Sequence, residues 1–306
     1  MSSNPRYVAV DWGTSSFRLW LVGKDGSVLA ERRSGEGMTT AAKTGFAAVL
    51  DGHLDGVSAP RDLPVIVCGM AGARQGWVEA GYLDTPAALS AIPDAAVRVP
   101  VEGRDIRILP GLAQRDPSAP DVMRGEETQL LGAMETLGSG RHLVCMPGTH
   151  SKWVSVAAGR VVAFATFMTG ELFEAIATQT ILSHSVSEGG RVDPTSAAFR
   201  SAVAEARDQP ARLTNRLFSL RAGNLLHGLS AGEAKARLSG LMIGIEIAGA
   251  LSMVDGDASV ALVVSGPLGD LYRSAFTAVG IEAADIDADE AVRAGLATAA
   301  KALWPN

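Results

Sequence analysis

Two segments of the sequence share one pattern, and this repeat restricts the fold more than any other feature. In the first, an apolar run at residues 7–10 is followed by the turn G-T-S-S at 13–16, a second apolar run and a glycine turn. The second segment repeats this order from residue 142, with G-T-H-S at 148–151 in the place of the first turn. Apolar runs separated by such turns predict β-strands joined in hairpins. The chain is therefore predicted to be an internal duplication whose halves each open with three strands.

Apolar runs alternate with helical stretches in the rest of each half. Further strands are predicted at residues 64–68, 107–111 and 260–264, and helices at 126–137, 171–182, 231–253, 270–279 and 289–303. This alternation is typical of α/β proteins, and the hairpin starts predict mixed rather than all-parallel sheets. Turn residues at 138–140 predict a boundary between a domain of residues 1–138 and a domain of residues 139–306. Residues 183–224 are polar and loop-rich, and no element is assigned to them.

Composition excludes several classes of function. The chain has 306 residues, 47% of them hydrophobic, and a net charge of −6, so nucleic acid is a poor partner. Cys68 and Cys145 lie in apolar runs and are predicted to be buried, reduced thiols. No signal peptide is recognisable, and the longest apolar run is too short for a bilayer and contains Glu246. We therefore expect a cytoplasmic protein without a membrane partner.

The first turn offers groups that suit a bound phosphate. Asp11 ends a strand, and Gly13 lets the backbone approach a ligand closely. Phosphate oxygens need several converging donors, and a divalent cation bound to them needs a carboxylate, usually through water. We predict that Asp11 serves the metal and that the phosphate is bound by Gly13, Thr14, Ser15 and Ser16. The alternative is a hairpin in which the aspartate only caps the turn.

The second turn is predicted to bind the same phosphate chain from the other half, through Gly148, Thr149, His150 and Ser151. Lys152 and His150 could neutralise charge on a phosphoryl group during transfer. The alternative is that Lys152 is a solvated surface residue.

A third glycine-rich turn follows the predicted strand at 260–264. Gly266, Pro267 and Leu268 would let a flat ring lie against the backbone, with an apolar contact from the leucine. Asp270 is equally well explained as a helix N-cap.

These three turns resemble the phosphate-one, phosphate-two and adenosine segments of the sugar kinase, actin and Hsp70 superfamily. The resemblance implies two ribonuclease H-like (actin-like ATPase) domains with mixed sheets flanked by helices, a cleft between the domains, and ATP as a cofactor. DWGTSSFR is similar to the opening of glycerol and xylulose kinases, which implies that Arg18 assists the phosphoryl group. The second turn lacks the aspartate that many superfamily members carry there, so a second metal-binding carboxylate is in doubt.

The chain resembles the 2-dehydro-3-deoxygalactonokinases more closely. The segments that carry this resemblance are VDWGTSSFRLWLV, CGMAGARQGWVEAGY, DVMRGEETQLLGA, MPGTHSKWV, FMTGELFEAI and VSGPLGDLY. The family implies ATP- and Mg²⁺-dependent phosphorylation of the terminal hydroxyl of 2-dehydro-3-deoxy-D-galactonate, in galactonate or galactose catabolism.

The related kinases place an acidic base between the two phosphate turns. We assign that role to Glu126, with Glu127 as the alternative, although aspartate is the usual residue. The carboxylate of a sugar acid calls for a cation, for which Arg74 and Arg124 are the candidates. The remaining predicted substrate contacts are Gln75, Trp77, Thr169 and Glu171.

Three other functions are also compatible with these sequence features. A kinase of the same fold could act on another sugar, sugar acid or polyol, and an exopolyphosphatase would hydrolyse phosphate without an acceptor. A nucleotide-gated binding module is the non-enzyme alternative. The predicted partner is a small-molecule sugar acid, and the oligomeric state is undecided, with a homodimer as one option.

Overall fold

The computed structural model describes residues 4–253 and 258–305. The strands, in chain order, are β1 (Pro5–Trp12), β2 (Phe17–Gly23), β3 (Val28–Ser34), β4 (Val65–Gly69), β5 (Tyr82–Asp84), β6 (Ala87–Ala88), β7 (Val97–Arg98), β8 (Ile106–Ile108), β9 (Gly111–Gln114), β10 (Asp121–Met123), β11 (Arg141–Met146), β12 (Ser151–Ala157), β13 (Arg160–Phe167), β14 (Ser259–Val264) and β15 (Ala283–Asp287). The helices are α1 (Met38–Thr44), α2 (Phe46–Gly56), α3 (Glu126–Leu137), α4 (Thr169–Gln179), α5 (Ser183–Val186), α6 (Ala197–Asp208), α7 (Leu213–His227), α8 (Ala231–Leu251), α9 (Pro267–Ala278) and α10 (Ala288–Leu303).

Contacts divide the described chain into two compact units. Unit 1 contains residues 4–139, 157–163 and 288–305, and unit 2 contains the described residues of 140–156 and 164–287. The first segment of unit 1 ends at Ser139, and unit 1 also includes residues 157–163 and the C-terminal helix α10. That helix packs closely on α3, where Gly132 and Gly295 leave room for the facing backbone. The division into two functional domains at residue 138 stays a prediction.

The main sheet of unit 1 is mixed. Its strands follow the order β3-β2-β1-β4-β8-β7. The strands β1, β2 and β3 are antiparallel neighbours, as the two turns predict, whereas β4 and β8 run parallel to β1. A second sheet of this unit has the order β10-β9-β5. The edge of the sheet where β1 and β4 end carries Asp11 and the glycine turn that follows β4.

The sheet around β11 repeats this arrangement. Five neighbouring strands of this six-stranded sheet follow the order β15-β14-β11-β12-β13, which matches β8-β4-β1-β2-β3 of the first unit position by position. Here too β14 pairs parallel to β11, and β15 parallel to β14. This shared order is that of the ribonuclease H-like fold, so the predicted fold class is confirmed: an α/β protein with two actin-like units and mixed sheets.

Residues 183–224, to which the sequence assigned no element, form three helices, α5, α6 and most of α7. The helix α6 lies on α8 because Gly240 and Gly244 of α8 leave room for its backbone: a Cβ on either would lie 2.4 Å from a carbonyl oxygen of α6. Phe199 and Val203 of α6 are fully buried in the core of unit 2. Packing against α8 thus stabilises polar segments whose own sequences do not predict a helix. Among the described residues, no helix has the length and apolar character needed to cross a membrane.

Candidate active site

The first turn joins β1 to β2 and presents its hydroxyl groups to solvent. Thr14, Ser15 and Ser16 are exposed, and the Gly13 amide donates to the Ser16 carbonyl at 2.9 Å. The turn is supported by the start of α1, since the Met38 amide donates to the carbonyl of Gly13 at 2.9 Å. The turn is therefore held by its backbone, which leaves its side chains available to a ligand.

Asp11 and Arg18 face each other across β1 and β2 and form an ion pair. Nη2 of Arg18 lies 2.5 Å from Oδ2 of Asp11, and Nη1 donates to Asp289 at the start of α10. Arg33 donates to the other oxygen of Asp289 at 3.0 Å. Partial burial acts to raise the pKa of Asp289, but the hydrogen bond from Arg33 and the charge of Arg18 outweigh it, so the pKa is lowered. Arg18 is thus held between the carboxyl groups of Asp11 and Asp289.

The start of α3 gives its two glutamates different environments. Glu126 is half-buried, and its Oε2 accepts the Arg124 amide at 3.1 Å. Glu127 is fully buried, and its oxygens accept the Gly125 amide at 2.6 Å and the Thr128 hydroxyl at 2.9 Å. Burial, and then the charge of Glu126, raise the pKa of the Glu127 carboxyl from 4.5 to about 8. Glu127 is therefore protonated at neutral pH.

The two predicted arginines of unit 1 also differ. The side chain of Arg74 is 83% exposed and approaches Glu79 only to 3.8 Å. Arg124 donates to the Gly81 carbonyl at 2.7 Å and lies over the Tyr82 ring, 4.5 Å from its centroid. Nε and Nη1 of Arg124 are buried and have no hydrogen-bond partner among residues 4–253 and 258–305. Arg124 is thus fixed in place with two donors unused.

The other two predicted substrate residues of unit 1 lie near Arg74. Gln75 is exposed. Trp77 is half-buried and packs on the core, with its ring centroid 6.0 Å from that of Trp12 and 6.1 Å from that of Phe46. The part of Trp77 that the core covers is not available to a ligand.

The second turn joins β11 to β12 and is tied to the start of α4. The Glu171 amide donates to the Thr149 carbonyl at 3.1 Å, and the side chains of Glu171 and His150 are hydrogen-bonded. A Cβ on Gly170 would lie 2.8 Å from the Gly148 oxygen, so glycine permits this approach. Thr149 and His150 are exposed, as a ligand-binding turn requires.

The predicted site residues that follow this turn are buried. Lys152 is 5% exposed, and its Nζ lies 3.4 Å from the His150 carbonyl oxygen. It is therefore not the solvated surface residue of the alternative prediction. Ser151 is fully buried below the turn. Thr169 is also buried, at the start of α4.

One cavity of unit 2 brings together residues from all the segments predicted to bind the nucleotide in this unit. It has a volume of about 340 Å³ and is lined by Gly148 of the second turn, Thr169, and Pro267 and Leu268 at the start of α9. Gly266 adopts a φ of 70° just before α9, and a Cβ there would meet no atom within 4 Å. The remaining lining is largely apolar, with Arg191 and Lys235 as charged members. Such a lining suits a ligand with a flat apolar part and a charged part.

Comparisons with known proteins assign the chain to a family. The family model for 2-keto-3-deoxy-galactonokinase matches residues 11–299. The chain is 64% identical over 305 residues to "Probable 2-dehydro-3-deoxygalactonokinase DgoK1" of Rhizobium meliloti (strain 1021), with 100% of both chains covered. The chain belongs to the 2-dehydro-3-deoxygalactonokinase family.

Two further relatives agree with this membership. The 2-dehydro-3-deoxygalactonokinase of Escherichia coli (strain K12) is 35% identical over 300 residues, which cover 97% of this chain and 98% of the relative. A crystal structure from Sinorhizobium meliloti, of a protein assigned to the same family, has 65% identity and a TM-score of 0.96, and the match covers 98% of this chain and 100% of that one. The chain is accordingly a carbohydrate kinase, and kinase chemistry implies the use of ATP.

Sequence reasoning missed three polar residues that lie beside or below the predicted site residues. Asp289 was predicted only as the first residue of the closing helix, yet it bonds Arg18. From the sequence, Glu246 is only a charge in an apolar run, and Tyr272 is only the last residue of a matching segment. In the structure, the Tyr272 hydroxyl donates a hydrogen bond to the buried Glu246 at 2.8 Å. A lone acid within an apolar helix is the one signal that could have pointed to Glu246, because a buried carboxylate needs donors.

Proposed function

We propose that this kinase transfers the γ-phosphoryl group of ATP to the terminal hydroxyl of 2-dehydro-3-deoxy-D-galactonate, giving the 6-phosphate. The reaction would belong to galactonate or galactose catabolism in the cytoplasm. The observation that carries this proposal is the 64% identity to a relative of that name over both full chains. A homodimer stays a prediction.

The adenosine of ATP is proposed to occupy the 340 Å³ cavity of unit 2. Pro267 and Leu268 would contact the base, and the open space beside Gly266 would let the ring approach the backbone. Gly148 lines the same cavity, so the phosphates would lie at the second turn. The exposed groups of Thr149 and His150 are suited to them.

Asp11 is proposed to bind Mg²⁺, and its carboxylate oxygens are of the kind that this ion prefers. Oδ2 of Asp11 is used by Arg18, whereas Oδ1 accepts from the weak thiol donor of Cys68 at 3.7 Å. No cluster of three or more possible ligands occurs among the described residues. Mg²⁺ usually keeps several waters and binds one or two carboxylates together with substrate phosphates, so a single carboxylate is enough. The ion would neutralise phosphate charge during transfer.

Glu126 is proposed as the base that accepts the proton of the attacking hydroxyl. A base must be ionised and must reach the substrate. Glu127 meets neither condition at neutral pH, because it is buried and its pKa is about 8. Glu126 is half-buried at the same helix start, which supports the preference for it.

Arg124 is proposed to bind the carboxylate of the sugar acid. Buried donors without a partner are costly, so the two unused nitrogens of Arg124 call for an acceptor. The guanidinium is already held by Gly81 and Tyr82, so little side-chain freedom would be lost on binding. Arg74 is solvated and has no such support.

The test is release of ADP by the purified protein with MgATP and a set of acceptors. The set contains 2-dehydro-3-deoxy-D-galactonate, the epimeric gluconate derivative, a neutral sugar, a polyol and no acceptor. We expect ADP only with the galactonate derivative. Equal release with unrelated sugars would indicate a broad sugar kinase, and release without an acceptor would indicate a phosphohydrolase; either result would overturn the substrate assignment.

A further inference from the structure

A chain of buried polar groups runs from the second turn into the interior of unit 2. The Gly148 amide lies 3.4 Å from the Ser151 hydroxyl oxygen, which lies 3.0 Å from the Tyr272 hydroxyl. Tyr272 in turn donates to Oε2 of Glu246 at 2.8 Å. Ser151, Tyr272 and Glu246 are all at most 2% exposed.

The donors and acceptors of this chain fix its direction. A tyrosine hydroxyl has one proton, and that of Tyr272 goes to the Glu246 carboxylate. The Ser151 proton is therefore left for the Tyr272 oxygen or for Glu246, to which Ser151 is also hydrogen-bonded, and a Ser151 lone pair is left for the Gly148 amide. Every hydroxyl proton is thus directed towards Glu246, and the backbone of the turn is the first donor.

The same carboxylate also supports the start of α4. Its Oε1 accepts the indole N–H of Trp153 at 2.8 Å, and the Thr169 side chain is hydrogen-bonded to it. Thr169 opens α4, whose next two residues pack on the second turn. Burial raises the pKa of Glu246, and the hydrogen bonds from Thr169, Trp153 and Tyr272 act against this rise. The pKa of Glu246 stays raised, so the donors offset only part of the cost of burying its charge.

We propose that Glu246, Tyr272 and Ser151 are positioning residues that hold the Gly148 turn and the start of α4 in place for the nucleotide. Gly148, Thr169 and Tyr272 all line the 340 Å³ cavity, so a shift of this network would alter the cavity wall. The inference rests on the proposed nucleotide site of unit 2. It changes the predicted role of Ser151 from a phosphate contact to an inward-facing support.

Tyr272→Phe is the sharpest test, because it removes one hydroxyl and keeps the buried ring. Calorimetric binding of MgADP and steady-state kinetics are measured for the wild type, Tyr272→Phe, Glu246→Gln and the control Ser185→Ala. Ser185 is a buried serine of the same unit whose hydroxyl lies 3.4 Å from Arg221, outside the network. We expect Tyr272→Phe to weaken MgADP binding and raise the KM for MgATP by about ten-fold, with the KM for the sugar acid unchanged.

Several outcomes would overturn the proposal. One is MgADP binding by Tyr272→Phe equal to that of the wild type; another is an equal loss in Ser185→Ala, which would indicate only general loosening of unit 2. If Glu246→Gln does not fold, Tyr272→Phe decides the question. Absence of sugar-acid turnover in the wild type would refute the proposed substrate, whereas the binding measurements would still test the network.

Discussion

Glu127→Gln is expected to change the pH dependence of stability, because the Glu127 carboxyl is buried and lies near the charge of Glu126. Its pKa rises from 4.5 to about 8 on folding. Folding therefore favours the protonated form. The stability that this preference contributes is complete below pH 4.5 and is lost as the pH rises towards 8.

The magnitude follows from the size of the shift. The difference between 4.5 and about 8 is about 3.5 pKa units, which corresponds to at most about 5 kcal/mol of unfolding free energy. Between pH 5 and 7.5 the wild type should lose about 1.4 kcal/mol per pH unit from this group. Glutamine does not titrate, and its amide oxygen can accept from the Gly125 amide, as the Glu127 carboxyl does.

The assay is urea unfolding of the wild type and Glu127→Gln at four pH values from 5 to 8. From pH 5 to 8, we expect the unfolding free energy of Glu127→Gln to rise by about 3 kcal/mol relative to that of the wild type. This value allows for incomplete desolvation of Glu127. A difference between the two proteins that stays constant with pH would refute the argument that Glu127 is protonated in the folded protein. Turnover at pH 7 is measured for Glu127→Gln and for the matched variant Glu126→Gln. Glu126→Gln should lose most of its turnover, whereas Glu127→Gln should keep most of its turnover.

Three further substitutions test other parts of the site. Asp11→Asn should lower kcat by at least about 10²-fold while circular dichroism stays unchanged, and a variant with most of its activity would remove Asp11 from the metal site. Asp289→Asn should lower kcat by about ten-fold through loss of one anchor of Arg18. Asp289→Asn should lower the free energy of thermal unfolding by less than about 1 kcal/mol, because the Arg18–Asp289 ion pair is partly exposed. An unchanged kcat would contradict the argument that Asp289 holds Arg18 in place. Arg124→Gln should raise the KM for the sugar acid by about ten-fold, with Arg74→Gln near wild type; the reverse order would exchange their roles.

The repeated hairpins could be predicted from the sequence because their signals are local. Glycine and serine turns between apolar runs specify β1–β2–β3, and the same pattern specifies β11–β12–β13. The helix α3 was predicted with the bounds it has, Glu126–Leu137. These elements depend on neighbouring residues only, so one sequence is enough to recognise them.

Features that depend on distant residues could not be predicted in this way. Asp289 reaches Arg18 from 271 positions along the chain, and α6 is held by its packing on α8. Ser151 is buried and hydrogen-bonded to Tyr272, which is 121 residues away. The sequence of a turn shows which polar groups it contains. Which of these groups face a ligand depends on the helices and strands that pack against the turn.

The position of the transferred phosphate tests the proposed reaction most directly. The protein is incubated with MgATP and 2-dehydro-3-deoxy-D-galactonate, and the products are followed by phosphorus and carbon magnetic resonance. The proposed reaction yields one sugar-acid phosphomonoester, with the phosphate on the terminal oxygen, in equal amount to ADP. Inorganic phosphate in equal amount to ADP, or a phosphate on any other oxygen of the sugar acid, would contradict it.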